Sequence, residues 1–219
     1  RKMMSKILIK LMTLFVSLSL ILSQPSMAFS SEKEAYFAGG CFWCLEHDLE
    51  EIPGVIRAES GYLGGDSINP NYENHKGHQE SVSVKYDTNK ITYEELLRAY
   101  WRNIDPFDNQ GQFCDRGDSY KPMIYVEDDN QKELADKSLQ LVSLELGVSQ
   151  DELKVAIEPV KNFWIAEDYH QDFAKNNSVK YSFYRFSCGR DYRLDQVWGQ
   201  NARTRLPWSE ASVPNIRKK

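Results

Sequence analysis

Two thiols three residues apart, Cys41 and Cys44, close a run that reads Phe37-Ala38-Gly39-Gly40-Cys41-Phe42-Trp43-Cys44-Leu45-Glu46. The apolar stretch Ala35 to Ala38 predicts a strand, the two glycines a tight turn, and Phe42 to Glu51 a helix. That order delivers Cys41 to a helix N-terminus, where unpaired N–H groups and the macrodipole favour an anion. A cysteine so placed is a candidate nucleophile rather than inert packing. Cys44 makes the pair a candidate redox dithiol, although a Cys-x-x-Cys could equally be half of a metal site.

A nucleophile needs partners, and two polar loops can supply them. The first, from Gly61 to His78, is glycine-rich and carries Tyr62 and Tyr72. Loops of this length are uncommon in compact domains unless they function. Glu80 sits at the mouth of the strand that follows, Ser81 to Tyr86, which alternates with period two. The second loop, Asp105 to Tyr120, holds Cys114, Asp115 and Tyr120 and leads into a strand at Pro122 to Val126. His47, His75, His78 and His170 show no tight pairing with the cysteines at usual zinc spacing, so no metal is expected.

The remaining elements frame these loops. Val55 to Ser60 predicts a strand after Pro53-Gly54. Thr92 and Glu95 form a capping-box pattern opening a helix to about Asn103. Asn130 to Leu146 reads as an amphipathic helix closed by Gly147, Lys154 to Val160 as a strand and Ala166 to Lys175 as a short helix. Lys180 to Phe186 alternates like a strand, and the chain from about residue 190 reads as an extended tail. Strand, helix, strand, strand, helix, strand is the order of a ferredoxin-like split βαβ sandwich. The expected class is therefore α+β, extended by extra helices and strands, in one domain over residues 29–219.

Composition restricts the function classes. The chain has 219 residues, 41% hydrophobic and 27% charged, with a formal charge of −5, enough for a real core and unsuited to binding nucleic acid. Arg1, Lys2, Lys6 and Lys10 precede an apolar run from Leu11 to Leu22 and then Ser26-Met27-Ala28, the layout of a signal peptide over residues 1–28. Initiation at Met3 or Met4 fits that leader. A secreted or periplasmic protein is expected, with membrane anchorage through an uncleaved leader as the alternative, because the run is short for a span. All four cysteines, 41, 44, 114 and 188, would then meet an oxidising compartment. Two other classes compete with a dedicated redox enzyme: a general thiol-disulfide oxidoreductase built on Cys41 and Cys44, and a secreted binding domain with two structural disulfides.

The ordered combination of motifs resembles the type A peptide methionine sulfoxide reductases. It comprises Gly40-Cys41-Phe42-Trp43 with Glu46, Gly61-Tyr62 with Gly64-Gly65, Asn69-Pro70-Asn71-Tyr72 and Gly77-His78-Gln79-Glu80. Asp105-Pro106, Cys114-Asp115-Arg116-Gly117 with Tyr120, and Phe163-Trp164 with Ala166 to Gln171 complete it. The resemblance implies that Cys41 attacks the sulfoxide sulfur of the S epimer, releasing methionine and leaving a sulfenic acid. It implies Glu80 as the acid, Tyr72 and Tyr120 as oxygen-binding hydroxyls, Phe42 and Trp43 as the methyl-binding faces, and Asp115 as support. It points to Cys188 as the resolving thiol, with Cys44 and Cys114 as competitors. No bound cofactor is implied; a thioredoxin-like dithiol would be the external reductant of a monomeric enzyme acting on free or protein-bound methionine sulfoxide. The departures are Cys44, where many relatives carry glycine, Lys121 after Tyr120, and a short loop between Tyr72 and Gly77.

Overall fold

The computed structural model describes residues 31–208; the leader expected at residues 1–28 lies outside them. Strand β1 (Glu32–Ala38), helix α1 (Phe42–Glu50), β2 (Val55–Leu63), β3 (Gln79–Asp87) and α2 (Tyr93–Trp101) follow one another as the residue pattern predicts. A two-residue hairpin, β4 (Gly111–Gln112) with β5 (Asp115–Arg116), precedes β6 (Met123–Val126). Helix α3 (Asp129–Leu146), β7 (Ala156–Pro159) and β8 (Trp164–Ile165) come next.

The six-stranded sheet has the order β7-β6-β1-β3-β2-β8. Its middle four, β6-β1-β3-β2, are antiparallel and joined through α1 and α2, which is the split βαβ arrangement. β7 adds to one edge in parallel and β8 to the other antiparallel. Phe37 on β1, Leu45 and Leu49 on α1, and Leu96, Leu97, Tyr100 and Trp101 on α2 are buried together in the main core. Spacing of three and four along each helix makes this possible, since such residues share a face. The α2 start is held by the predicted capping box: Glu95 N–H donates to Thr92 Oγ1 at 3.2 Å, and Thr92 N–H donates to the Glu95 carboxylate at 2.9 Å.

Three expectations for the last third of the chain are corrected. Ala166 to Lys175 is not one helix but a 3-10 turn, Asp168–His170, and a single-turn α4, Phe173–Asn176, separated by Asp172 at φ 52°. Lys180 to Phe186 is not a strand; it lies inside α5 (Ser178–Cys188). Tyr181 and Tyr184, three apart, face inward there, so the helical period prevailed over the brief alternation. The extended tail from about residue 190 begins instead as a helix, α6 (Arg190–Trp198), whose Leu194, Val197 and Trp198 are fully buried. Trp198 donates to the Ile104 carbonyl at 2.9 Å, so this segment is part of the core.

Candidate active site

The turn between β1 and α1 carries the chemistry. Gly40 has φ 83°, and a Cβ there would stand 2.7 Å from Gln112 Cβ, so both backbone and space require glycine. Arg190, buried on α6, donates to the carbonyls of Gly39 and Asn103 at 3.3 and 2.7 Å and so braces the turn from the C-terminal side. Cys41 is the N-cap residue of α1, and its carbonyl accepts from Cys44 N–H at 3.1 Å and Leu45 N–H at 3.3 Å. Its side chain is 6% exposed.

Glu80 meets this helix start from the neighbouring strand. Ala38 pairs with Ser81 and Tyr62 with Glu80, so the β3 register sets Glu80 where β1 gives way to the Gly-Gly turn. Phe42 N–H donates to Glu80 Oε2 at 3.1 Å, satisfying a helix-terminal donor with a carboxyl side chain. That bond favours the charged form, yet burial outweighs it and pushes the Glu80 carboxyl up to about 8. Nearby Asp115 adds to the rise. Glu80 is therefore an uncharged acid at neutral pH.

Cys41 and Cys44 form a hydrogen-bonded buried pair. Burial pushes the Cys41 thiol up, while Cys44 is drawn down, first by the Cys41 thiol donating to it and then by the guanidinium groups of Arg190 and Arg185. The helix terminus expected to ionise Cys41 is thus opposed by desolvation.

Aromatic rings surround the start of α1. Phe42 is buried, and half-buried Trp43 stacks on Phe173 with centroids 3.7 Å apart. His170 lies 4.8 Å from both Phe42 and Tyr72, and its Nδ1 accepts from Trp43 Nε1–H at 3.0 Å. Burial pulls the His170 pKa down, which suits a neutral ring accepting from the indole. Glu46, raised to about 7 mainly by burial, accepts from the Asp172 amide at 2.8 Å and from the Ser60 hydroxyl, fixing the segment that carries Phe173. Glu167 accepts from the Tyr62 hydroxyl at 2.9 Å and from the Tyr72 amide at 3.0 Å, tying the first polar loop to the site.

Tyr72 and Tyr120 both feel the charges of Glu80, Cys41 and Asp115, and burial together with those charges keeps their hydroxyls protonated. The structure thus brings Cys41, Phe42, Trp43, Cys44, Tyr72, Glu80, Asp115 and Tyr120 into one place. Sequence reasoning missed Tyr184. From α5 its hydroxyl donates to Asp115 Oδ2 at 2.6 Å and hydrogen-bonds the Cys41 sulfur, while its ring meets Trp43 edge-on. The available signal was the spacing Tyr181, Tyr184, Cys188, which puts three such residues on one helical face.

The other two cysteines are joined, Cys114 to Cys188, while Cys41 and Cys44 are free. Asp115 Oδ2 lies 3.9 Å from Cys188 Sγ, so the disulfide adjoins the site through the Asp115–Tyr184 pair. Cys114, Asp115 and Cys188 are close enough to one another to suggest metal ligands, but both sulfurs are committed to the disulfide and offer no thiolate.

Comparison with known proteins agrees with this geometry. Residues 33–202 match the family described as peptide methionine sulfoxide reductase. Peptide methionine sulfoxide reductase MsrA 2 of Caulobacter vibrioides is 45% identical over 196 residues, covering 87% of this chain and 98% of the relative. Peptide methionine sulfoxide reductase MsrA of Bacillus licheniformis is 43% identical, over 76% and 93% respectively. Among solved structures, reduced Mxr1 from Saccharomyces cerevisiae superposes with a TM-score of 0.61 at 29% identity, covering 67% of this chain and 86% of that one.

Proposed function

Because the chain belongs to the peptide methionine sulfoxide reductase family, we propose that it reduces the S epimer of methionine sulfoxide, free or in proteins, to methionine. The observation that carries the reading is the buried, neutral Glu80 carboxyl beside Cys41 at the start of α1. Sulfoxide reduction needs a sulfur nucleophile and a proton for the departing oxygen, and these two side chains supply both.

Cys41 attacks the sulfoxide sulfur while Glu80 gives its proton to the oxygen. The oxygen moves to Cys41 as a sulfenic acid and methionine leaves, so the thiol is oxidised by two electrons and the sulfoxide reduced by two. Tyr72 and Tyr120 donate to the oxygen as its charge grows. Phe42 and Trp43 offer apolar faces to the methyl group. Asp115 holds the Tyr184 hydroxyl against the Cys41 sulfur.

The sulfenic acid is then resolved by a thiol, with loss of water. Cys188, expected for that step, is bonded to Cys114, whereas Cys44 is hydrogen-bonded to Cys41. We assign the first attack to Cys44, which forms a Cys41–Cys44 disulfide; the Cys188 thiol then attacks one of these sulfurs and releases the other, and the Cys114 thiol attacks Cys188 in turn, leaving the Cys114–Cys188 disulfide with Cys41 and Cys44 reduced. A thioredoxin-like dithiol then returns that disulfide to thiols. No bound cofactor is needed by this scheme. A monomer acting outside the cytoplasm, behind the leader read at residues 1–28, completes the proposal.

Mass spectrometry of fully reduced protein after one equivalent of an (S)-methionine sulfoxide peptide tests it. Stoichiometric methionine and a disulfide containing Cys41 or derived from it are expected, with the R epimer unreacted. An unchanged thiol count rejects the reading.

A further inference from the structure

The hairpin tip that carries Cys114 is pinned by the residue beside it. Phe113 and Cys114 are the two residues between Gln112 and Asp115, the innermost pair of β4 and β5. Phe113 has φ 55°, a left-handed conformation that bulky side chains rarely adopt and that persists only where the surroundings enforce it. The ring supplies the reason for a phenylalanine there: the Arg190 guanidinium carbon lies 4.5 Å from its centroid, within the range of a cation–π contact.

Arg190 is a fixed seat for that ring. Its side chain is 1% exposed, lies 3.7 Å from the Asp48 carboxylate on α1, and donates to the Gly39 and Asn103 carbonyls. In the chain it follows Cys188 and Gly189, whose left-handed turn joins α5 to α6. One buried guanidinium therefore meets the segments that carry all four cysteines. Gly39 stands two residues before Cys41, Asp48 four after Cys44, Phe113 one before Cys114, and Arg190 itself two after Cys188. Cys114 and Cys188 thus flank the two partners of one stack, and Cys114 N–H donates to Cys188 Sγ at 3.2 Å.

We propose that the Phe113–Arg190 stack is the positioning contact for the exchange that moves oxidation from Cys41–Cys44 to Cys114–Cys188. This rests on the thiol relay proposed above. In its last step the Cys114 thiolate attacks Cys188 Sγ, bonded at that moment to Cys41 or Cys44. It expels that sulfur as a thiolate, which takes up the proton Cys114 lost. Over the whole exchange two electrons and two protons pass from Cys114 and Cys188 to the Cys41–Cys44 pair. Phe113 acts through Cys114: with the stack in place the hairpin tip is already ordered in the dithiol form, and the effective concentration of Cys114 at Cys188 is high. Without the stack, disulfide formation must also order the tip.

Two variants test the assignment. Phe113→Leu keeps an apolar side chain but loses the ring face, and Phe113→Tyr keeps the face. Each fully reduced protein receives one equivalent of an (S)-methionine sulfoxide peptide, and quenched, alkylated samples are mapped for disulfides by mass spectrometry. The equilibrium between Cys114–Cys188 and its dithiol is measured in a dithiothreitol redox buffer. For Phe113→Leu, conversion of Cys41–Cys44 to Cys114–Cys188 should slow about fivefold and the equilibrium constant for Cys114–Cys188 fall about fivefold, with first-turnover methionine release unchanged. Phe113→Tyr should match wild type in all three. Wild-type exchange and equilibrium in Phe113→Leu overturn the positioning role alone. So does a Phe113→Tyr protein as impaired as Phe113→Leu, or a loss of methionine release in Phe113→Leu, since the ring would then be general packing. Wild-type protein that releases methionine but forms no Cys114–Cys188 disulfide overturns the relay and the positioning role together, and wild-type protein that releases none overturns the reductase reading itself.

Discussion

Glu145 and Glu80 are both buried carboxyl groups, and they are handled in opposite ways. Glu145 on α3 meets Arg102 side-on, with Arg102 Nη2 2.9 and 2.8 Å from its two oxygens and Asn201 donating at 3.0 Å. Arg102 also donates to Thr204 Oγ1 at 3.1 Å and to the Leu206 carbonyl at 2.6 Å. Both side chains are completely buried, yet each charge faces its opposite. Glu80 is equally hidden, but it faces a backbone N–H, a thiol and another carboxyl, with no cation in contact among the described residues. The first arrangement holds the C-terminal segment on the core. The second holds the proton on the acid at neutral pH, the state a proton-consuming reaction requires.

Breaking each carboxyl in turn separates the two roles. Glu80→Gln keeps the shape and an acceptor for Phe42 N–H but removes the proton, so kcat for methionine sulfoxide falls about 10²–10³-fold while Cys41 still reacts with iodoacetamide. Measuring both rates on one preparation checks this. Glu145→Gln does the reverse: it strands the buried Arg102 charge and costs about 3–5 kcal/mol in urea unfolding, with kcat unchanged in the protein that remains folded. A smaller effect is expected from Tyr184→Phe, which leaves Asp115 without its donor and loosens Cys41. Turnover drops about tenfold, and the Cys41 alkylation profile shifts with it, which a mere packing defect would leave in place.

The contrast also has a pH signature in stability. The Glu80 pKa is raised from 4.5 to about 8 by folding, so the folded state binds the extra proton between those values. Its contribution is fully present below about pH 4.5 and is lost as pH rises through 8. Urea midpoints of wild type should therefore fall against those of Glu80→Gln across that window, and a constant difference would contradict the burial argument. Glu46, raised to about 7, acts in the same direction in both proteins and so cancels from that difference.

Much of the catalytic half was legible because local rules and tertiary packing agree there. The Gly39-Gly40 turn, the helix that starts at Phe42, the period-two strand after Glu80 and the Thr92–Glu95 box each depend on nearby residues. The order of those elements was enough to give the central four strands of the sheet, though not the edge strand β8. The C-terminal third failed because its helices owe their form to distant partners. Arg190 is fixed by carbonyls at Gly39 and Asn103, and Trp198 by Ile104. Gly189, at φ 69°, ends α5 and opens α6, where the residue pattern suggested only the start of a tail. Tyr184 was hidden by the same misreading, since a strand would have pointed it differently. That Cys44 lies one helical turn from Cys41 was legible from spacing, whereas the Cys114–Cys188 pairing, which joins residues 74 apart, was not.

The central claim is that a protonated Glu80 delivers the proton that Cys41 chemistry requires. Rapid-quench single turnovers of reduced protein from pH 6 to 10, measured beside the Cys41 alkylation rate, test it most directly. Methionine release should rise with thiol ionisation, then level off at about pH 8 while alkylation continues to climb, and the Glu80→Gln variant should show no such break. Wild-type release that follows alkylation upward through pH 8 without a break would contradict the account.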